Sequence, residues 1–409
     1  MKNERLLDEI GLISDSHVAE ADKVIKLPSA KRPWAKWTSI AAAACLVVTV
    51  AIMAIPYFKP ADPSYNSPAD LPMLTISDSM ASFGFEGYMA YDINELANGN
   101  PWVDDTSLRT LPVFRNPASY DEAGRVISGL SAEVMIQLAE ETAATLGLTV
   151  DSVYTNPTVE NLLKEKEKVQ ALPGEEDYEP DATPTEAVAV CGDVTIKVQA
   201  NGAVRVFYEN GIQLPEEYSF TYYDTTETQA IEVTKYLLEQ YRSIVDMTAP
   251  ALALFGDYTY EGQQGFDFVA YENAGSISEQ ILGYNFNQVK FSPNEEGTLW
   301  IIDRYVADLS QNIADYPIIF APEAQSLLLQ NRYITTVPEE FPGEEYIARV
   351  ELVYRTSRYD EVFMPYYRFL VELPSMQRDN GLKTFGAYYV PAVESQYISN
   401  MPLWDGSFN

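Results

Sequence analysis

The chain has 409 residues, with 27 lysines and arginines against 60 aspartates and glutamates, so its formal net charge is −33. This acidity opposes contact with phosphate backbones, so nucleic acid is not an expected partner. A single histidine and two cysteines are too few for a zinc site of histidines and cysteines or for a disulfide framework, so we expect no metal.

The charge is distributed unevenly along the chain. Residues 1–37 carry a net charge of +1, residues 38–58 carry no charge, and the remainder carries −34. A helix needs roughly 20 residues to cross a bilayer, and the uncharged run TSIAAAACLVVTVAIMAIPYF has that length. Five cations and no acid lie between Lys23 and Lys36, so the positive-inside rule places the N-terminus in the cytoplasm. We predict a cytoplasmic tail at 1–37, a transmembrane helix at 38–58 in the lipid bilayer, and an extracytoplasmic region beyond it.

Three other interpretations of the apolar run fit it less well. A cleaved signal peptide would have a shorter segment before the apolar run and a small-x-small cleavage site. A lipid-modified Cys45 would end the apolar run, which here continues for 13 residues beyond that cysteine. A buried helix of a soluble domain would not explain 21 uncharged residues between a basic and an acidic flank.

The tail has the spacing of an amphipathic helix. Its apolar residues recur three and four positions apart from Leu6 to Ile25, with a break near residues 11–16. A helix this short is marginally stable alone in water, so its apolar stripe needs a membrane surface, a second copy or a cytosolic protein. The alternative is a weakly ordered tail whose apolar residues bind nothing.

The segment LLDEIGLISDSHVAEAD, with the basic stretch and WAKWTSIAAAACLVVTVA that follow, resembles the N-terminus of clostridial-type, single-span anti-sigma-factor-like proteins. In such proteins the inner segment holds an extracytoplasmic-function sigma factor, while the outer domain senses a signal at the envelope. The pattern departs from zinc-binding anti-sigma domains, because no Cys-x-x-Cys motif follows His17 in the tail. The resemblance implies a partner-facing stripe formed by Leu7, Ile10, Ile13, Val18 and Ala21.

Beyond the apolar run, proline-rich segments alternate with helical patterns. Residues 59–75 contain four prolines and are typical of an extended spacer. A helical run begins at Ser131 and ends at Gly147, and a charged helix is predicted at residues 158–171. The acidic, proline-rich residues 172–187 indicate a linker or loop.

The following sequence alternates helices with strand pairs. Asn201-Gly202 between two alternating runs predicts a hairpin, and a capping-box pattern at Asp224–Glu227 predicts a helix as far as about Ile244. Pro322 marks the start of another helix. Residues 346–355 and 364–373 predict a hairpin of long strands.

One helix followed by two or three antiparallel strands recurs about three times. The predicted fold class is therefore α+β: a cytoplasmic helical tail, one transmembrane helix, and an extracytoplasmic region of two or three helix-plus-antiparallel-sheet modules. The modules are placed at residues 76–220 (with the linker 172–187), 221–312 and 313–409. Their order of elements resembles that of PepSY-type envelope modules.

Motifs that carry catalysis do not occur in this sequence. It has no glycine-rich phosphate loop and no G-x-S-x-G elbow, and its lone histidine, His17, lies in the tail, away from any serine or cysteine of the outer region. Acidic pairs such as Glu344-Glu345 are more typical of solvated surfaces than of a glycosidase centre. We therefore expect a protein that is not an enzyme and binds no cofactor.

Tyrosine and arginine are concentrated in the C-terminal third. Adjacent strand residues face opposite sides, so each Tyr-Tyr pair is predicted to place one ring inward and one outward. Outward rings beside arginines favour a ligand or protein surface, whereas the alternative is that the rings stack across strands and bond at the sheet rim. The candidate residues for a ligand surface are Tyr354, Arg355, Tyr366, Tyr367 and Arg368.

These patterns favour an envelope sensor or regulator. Its tail would bind a cytosolic partner such as an extracytoplasmic-function sigma factor, and its non-catalytic outer region would bind a cell-wall or other envelope ligand. The alternative is an envelope-anchored scaffold or binding module for cell-wall polymer or protein, in which the tail is an anchor without a signalling role.

Overall fold

The structure is a computed structural model. It describes residues 71–77, 98–104, 108–121, 125–175, 177–218, 220–258, 264–357, 359–379 and 381–406. All of them belong to one compact unit, Asn66–Asn409. The tail predicted at 1–37, the helix predicted at 38–58 and most of the spacer at 59–75 lie outside the described residues.

The predicted fold class is corrected by this structure. The described residues form a mixed α+β fold with large antiparallel sheets, and none of their helices is long and apolar enough to cross a membrane. The longest of these helices have 14 residues, below the roughly 20 that a span requires. The fold class that included a transmembrane helix is therefore wrong as stated, because it rested on an apolar run that is not part of the described fold.

The helices and strands of the described residues are numbered in chain order. The α-helices are α1 (Ala132–Thr145), α2 (Val159–Gln170), α3 (Glu227–Gln240), α4 (Arg242–Val245), α5 (Ile277–Phe286) and α6 (Ala321–Leu328). The strands are β1 (Thr110–Arg115), β2 (Ser119–Tyr120), β3 (Val126–Ser128), β4 (Ser152–Asn156), β5 (Glu186–Cys191), β6 (Val194–Gln199), β7 (Val204–Ile212), β8 (Pro250–Tyr258), β9 (Gln264–Glu272), β10 (Asn287–Pro293), β11 (Leu299–Val306), β12 (Asn312–Pro317), β13 (Ile334–Thr335), β14 (Ile347–Tyr354), β15 (Val362–Phe363), β16 (Pro365–Glu372) and β17 (Phe385–Pro391).

Hydroxyl side chains begin the longer helices. Thr226 with Gln229 and Ser276 with Glu279 form complete capping boxes at α3 and α5. The sequence pattern placed the first of these boxes at Asp224, two residues too early. The helix begins after Thr226 because Thr226 is the residue whose backbone is still extended, with φ of −73° and ψ of 160°.

The largest sheet has eight antiparallel strands in the order β4-β5-β6-β7-β11-β10-β9-β8. β6 and β7 form the hairpin predicted at Asn201-Gly202, where Gly202 has a positive φ of 86°. β7 pairs with β11, so the sheet continues across the module boundary predicted at residue 220. α1 contacts β5 and β6, α3 contacts β9, and both helices share one apolar core with the sheet.

A second sheet, in the order β13-β17-β16-β14, is covered on both faces. Tyr367 and Tyr388 on one face belong to a core with α5 and α6. Tyr366 and Tyr389 on the other face pack with β8, β9 and the segment around Leu74. Strands covered on both faces are apolar nearly throughout, so a charged residue within them is exceptional.

Gly283 sets the distance between α5 and β9. A Cβ at this position would lie 1.8 Å from the carbonyl oxygen of Glu272, so alanine cannot be placed there without moving the helix. Alanine in a helix interior ordinarily stabilises by up to about 1 kcal/mol relative to glycine. We expect Gly283→Ala to have the opposite sign and to lower the free energy of unfolding by about 1–3 kcal/mol.

Urea denaturation measures this effect, with Ser278→Ala in the same helix as the matched control. We expect the control to stay within about 0.5 kcal/mol of the wild type. An unchanged or raised free energy of unfolding for Gly283→Ala would contradict the close approach of α5 to β9.

Candidate functional site

Charged side chains are brought together on one face of the four-stranded sheet. Glu351 on β14 lies directly opposite Arg368 on β16. Arg349 and Arg355 share this face with Glu351, because alternate residues of a strand point to the same side. Asp360 joins them from the loop after β14. We call Arg349, Glu351, Arg355, Asp360 and Arg368 the arginine cluster.

Glu351 is the most enclosed carboxylate of the arginine cluster, with 2% of its surface exposed. Its Oε2 accepts hydrogen bonds from Nε of Arg368 at 3.0 Å and from Nη2 of Arg368 at 2.5 Å. Its Oε1 accepts from Nδ2 of Asn98 at 2.5 Å, and Nη1 of Arg349 lies 3.8 Å away. Such bonds are required here, because a buried carboxylate without them is strongly unfavourable.

Arg355 and Asp360 form the second buried pair. Nη2 of Arg355 lies 3.1 Å from Oδ1 of Asp360, and both side chains are almost fully buried. The guanidinium also lies over the ring of Tyr366, 5.4 Å from its centroid, which is a cation–π geometry. Burial raises the pKa of Asp360 to about 7, while Arg355 and a hydrogen bond from the backbone of Ser357 oppose that rise.

A cavity of about 180 Å³ lies beside the arginine cluster. Its wall is drawn from α5, β10, β11, β14 with the loop that follows it, β16 and β17. It is lined by Tyr284, Asn285, Gln288, Tyr305, Val353, Tyr354, Arg355, Thr356, Ser357, Arg368 and Tyr389. Two of these residues are arginines, and the carboxylates paired with them, Glu351 and Asp360, are not among the lining residues.

The phenols of Tyr284, Tyr305 and Tyr354 in the wall stay protonated at neutral pH. Burial raises the pKa of Tyr284, with Arg368 opposing the shift, and burial raises the pKa of Tyr305 to about 12. Burial also raises the pKa of Tyr354 well above its ordinary value, and its hydroxyl donates to the carbonyl of Pro112 at 2.7 Å. The wall therefore offers neutral hydroxyls beside two cationic groups.

The structure distributes the five candidate ligand-surface residues over both faces of β16 and the end of β14. Tyr354, Arg355 and Arg368 line the cavity, and Tyr366 packs beneath Arg355. Tyr367 lies on the opposite face, where its hydroxyl donates to the carbonyl of Ile319 at 2.9 Å. The rings of Tyr366 and Tyr367 are both buried, because each face of the sheet is covered by other elements. The tail residues Leu7, Ile10, Ile13, Val18 and Ala21 lie outside the described residues.

Sequence reasoning missed Glu351 and Asp360 as members of the site. The signal for Glu351 was present, because charged residues interrupt two strongly apolar runs: Arg349 and Glu351 in IARVELVY, and Arg368 in PYYRFLVE. An opposite charge at the facing positions of two predicted hairpin strands indicates a cross-strand ion pair. Asp360 had no such signal, since it lies in an irregular loop.

Metal binding finds no support in the described part of the chain, which contains no cluster of three or more histidine, cysteine, aspartate or glutamate residues suited to hold an ion.

In comparisons with known proteins, no family model matches the sequence, and no curated protein matches it. The chemistry of the site is therefore read from its geometry alone: two guanidinium groups fixed by buried carboxylates, beside protonated phenols and a small cavity.

The Arg355–Asp360 pair predicts a pH dependence of stability. The folded pKa of about 7 for Asp360 lies above the roughly 3.9 of an unfolded aspartate, so the folded state binds more protons between these values. Stability from this group is therefore lost as pH rises from about 4 to about 7. In this window the wild type should lose up to about 1.4 kcal/mol per pH unit relative to Asp360→Asn.

Denaturation curves at half-unit steps from pH 4.5 to 8 measure this difference. The matched control is Asp379→Asn, which removes an exposed carboxylate from the same part of the chain and should follow the wild-type slope. Parallel pH profiles for wild type and Asp360→Asn would contradict the raised pKa.

Proposed function

We propose that this protein is a non-catalytic sensor or regulator whose folded region binds a small ligand in the arginine-lined cavity. The observation that carries the proposal is the cavity wall, in which Arg355 and Arg368 lie among phenols, amides and hydroxyls. Small-molecule sites commonly combine a concave, largely preformed space with a few fixed polar groups. The buried ion pairs fix both arginines before a ligand arrives.

The composition of the wall supports binding more than catalysis. Thr356 and Ser357 are the hydroxyl groups that resemble nucleophiles, and such groups need an adjacent general base to react. Among the described residues, the wall includes no carboxylate, imidazole, amine or thiol. Burial raises the pKa of the phenols of Tyr284, Tyr305 and Tyr354, which makes these three groups poor bases at neutral pH.

The regulatory half of the proposal concerns the N-terminal tail. We propose that its apolar stripe binds a cytosolic partner, and the resemblance to anti-sigma-factor-like proteins favours an extracytoplasmic-function sigma factor. An extracytoplasmic location of the folded region belongs to the same proposal. It is supported by the charge step between residues 1–37 at +1 and residues 59–409 at −34.

Binding of the purified full chain to such a sigma factor from the same genome tests the proposal. Deletion of residues 5–26 should abolish binding, and Ile10→Asp with Ile13→Asp should weaken it at least tenfold, because a charge on the stripe opposes its burial. Ser16→Asp adds the same charge away from the stripe and should bind like the wild type.

The folded region should keep its melting temperature in each of these variants, which separates loss of binding from loss of fold. Binding that survives deletion of residues 5–26 would contradict the regulator and favour the scaffold or binding module, in which the tail carries no signal.

A further inference from the structure

We propose that the cavity binds a small oxyanion, of the size of phosphate or a short carboxylate, at the wall formed by Arg355 and Arg368. The inference rests on the ligand-binding half of the proposed function and names the chemical class of the ligand. A guanidinium group presents two parallel N–H donors that match the oxygens of a carboxylate or phosphate. The volume of about 180 Å³ is sufficient for such an ion.

Charge selectivity is the first argument. The chain carries a net charge of −33, so an anion is repelled from most of its surface. The cavity departs from this, because the described residues of its wall include two arginines and no carboxylate. An anion inside it would meet the guanidinium side of two ion pairs in a weakly polar environment, where electrostatic attraction is stronger than in water.

The balance of buried charge is the second argument. Arg355 and Arg368 are matched by Glu351 and Asp360, while the side chain of Arg349 is 24% exposed and is screened by solvent. The balance holds only while Asp360 is ionised. Once Asp360 takes up a proton, its carboxyl no longer balances the charge of Arg355, and a bound anion can supply the negative charge in its place.

Asp360 therefore competes with the ligand for Arg355. The described groups that face its carboxyl are the guanidinium of Arg355, the phenol of Tyr366 and the backbone of Ser357. Of these, Arg355 carries a charge and Tyr366 stays neutral, since burial raises its pKa to about 12. Oxyanion binding should then be accompanied by uptake of a proton at Asp360 and should tighten as pH falls.

Two exposed residues, one in the wall and one outside it, allow a matched test of the site. Thr356 is exposed and lines the cavity, so a larger side chain there narrows the space without entering the buried pairs. Arg242, in α4, is exposed and is not part of the wall, so its replacement removes one positive charge from elsewhere on the molecule.

The experiment is calorimetric titration of the full chain with inorganic phosphate, sulfate and acetate at constant ionic strength, with chloride as the reference. We expect at least one oxyanion to bind, with an affinity at pH 6 at least fivefold higher than at pH 8. Arg355→Gln and Thr356→Phe should each weaken binding at least tenfold, Arg242→Gln should bind like the wild type, and Asp360→Asn should lose the pH dependence.

Thr356→Phe keeps the test decisive if Arg355→Gln does not fold, because it leaves both buried ion pairs intact. Oxyanions that bind no better than chloride, or binding that is equal in Thr356→Phe and the wild type, would overturn the inference. Loss of sigma-factor binding on deletion of residues 5–26, found together with such a negative result, would leave the proposed regulator standing without this ligand.

Discussion

The buried pair between Glu351 and Arg368 is the constraint on which the rest of the site depends. The two residues are direct partners in the β14–β16 register, so a slip of either strand by one residue would turn its charged side chain to the opposite face and separate the pair. Asn98 donates to the same carboxylate and so ties the segment at 98–104 to the sheet. A buried charge tolerates few alternatives, and this pair therefore fixes register, the covering segment and one wall of the cavity together.

The second pair has a different character from the first. Arg355 lies just beyond the end of β14 and meets an aspartate from a loop, so its geometry depends on that loop and not on strand register. Burial also brings the pKa of Asp360 close to neutrality. The cavity is consequently bounded by one rigid arginine and by one whose partner changes charge with pH, which is an arrangement suited to a responsive binding site.

Local patterns in the sequence predicted individual helices and hairpins better than the way these elements pack together. The hairpin at Asn201-Gly202, the helix after Ser131 and the strand pair of β14 and β16 follow from turn chemistry, capping and alternation, which act over a few residues. The covering of both sheet faces does not, because it depends on contacts between distant segments, such as Leu74 beside Tyr397. For that reason the sequence predicted that one ring of the Tyr366-Tyr367 pair would face outward, whereas both rings are buried in the structure.

The central claim is that Glu351 and Arg368 stabilise the fold as a coupled pair. A double-mutant cycle on the free energy of unfolding, with Glu351→Gln, Arg368→Gln and the double variant, measures that coupling directly. We expect each single change to cost about 3 kcal/mol, because it leaves a buried charge uncompensated, and the double change to cost at least about 1 kcal/mol less than the sum of the two. Additivity of the two changes within about 0.5 kcal/mol would contradict the account.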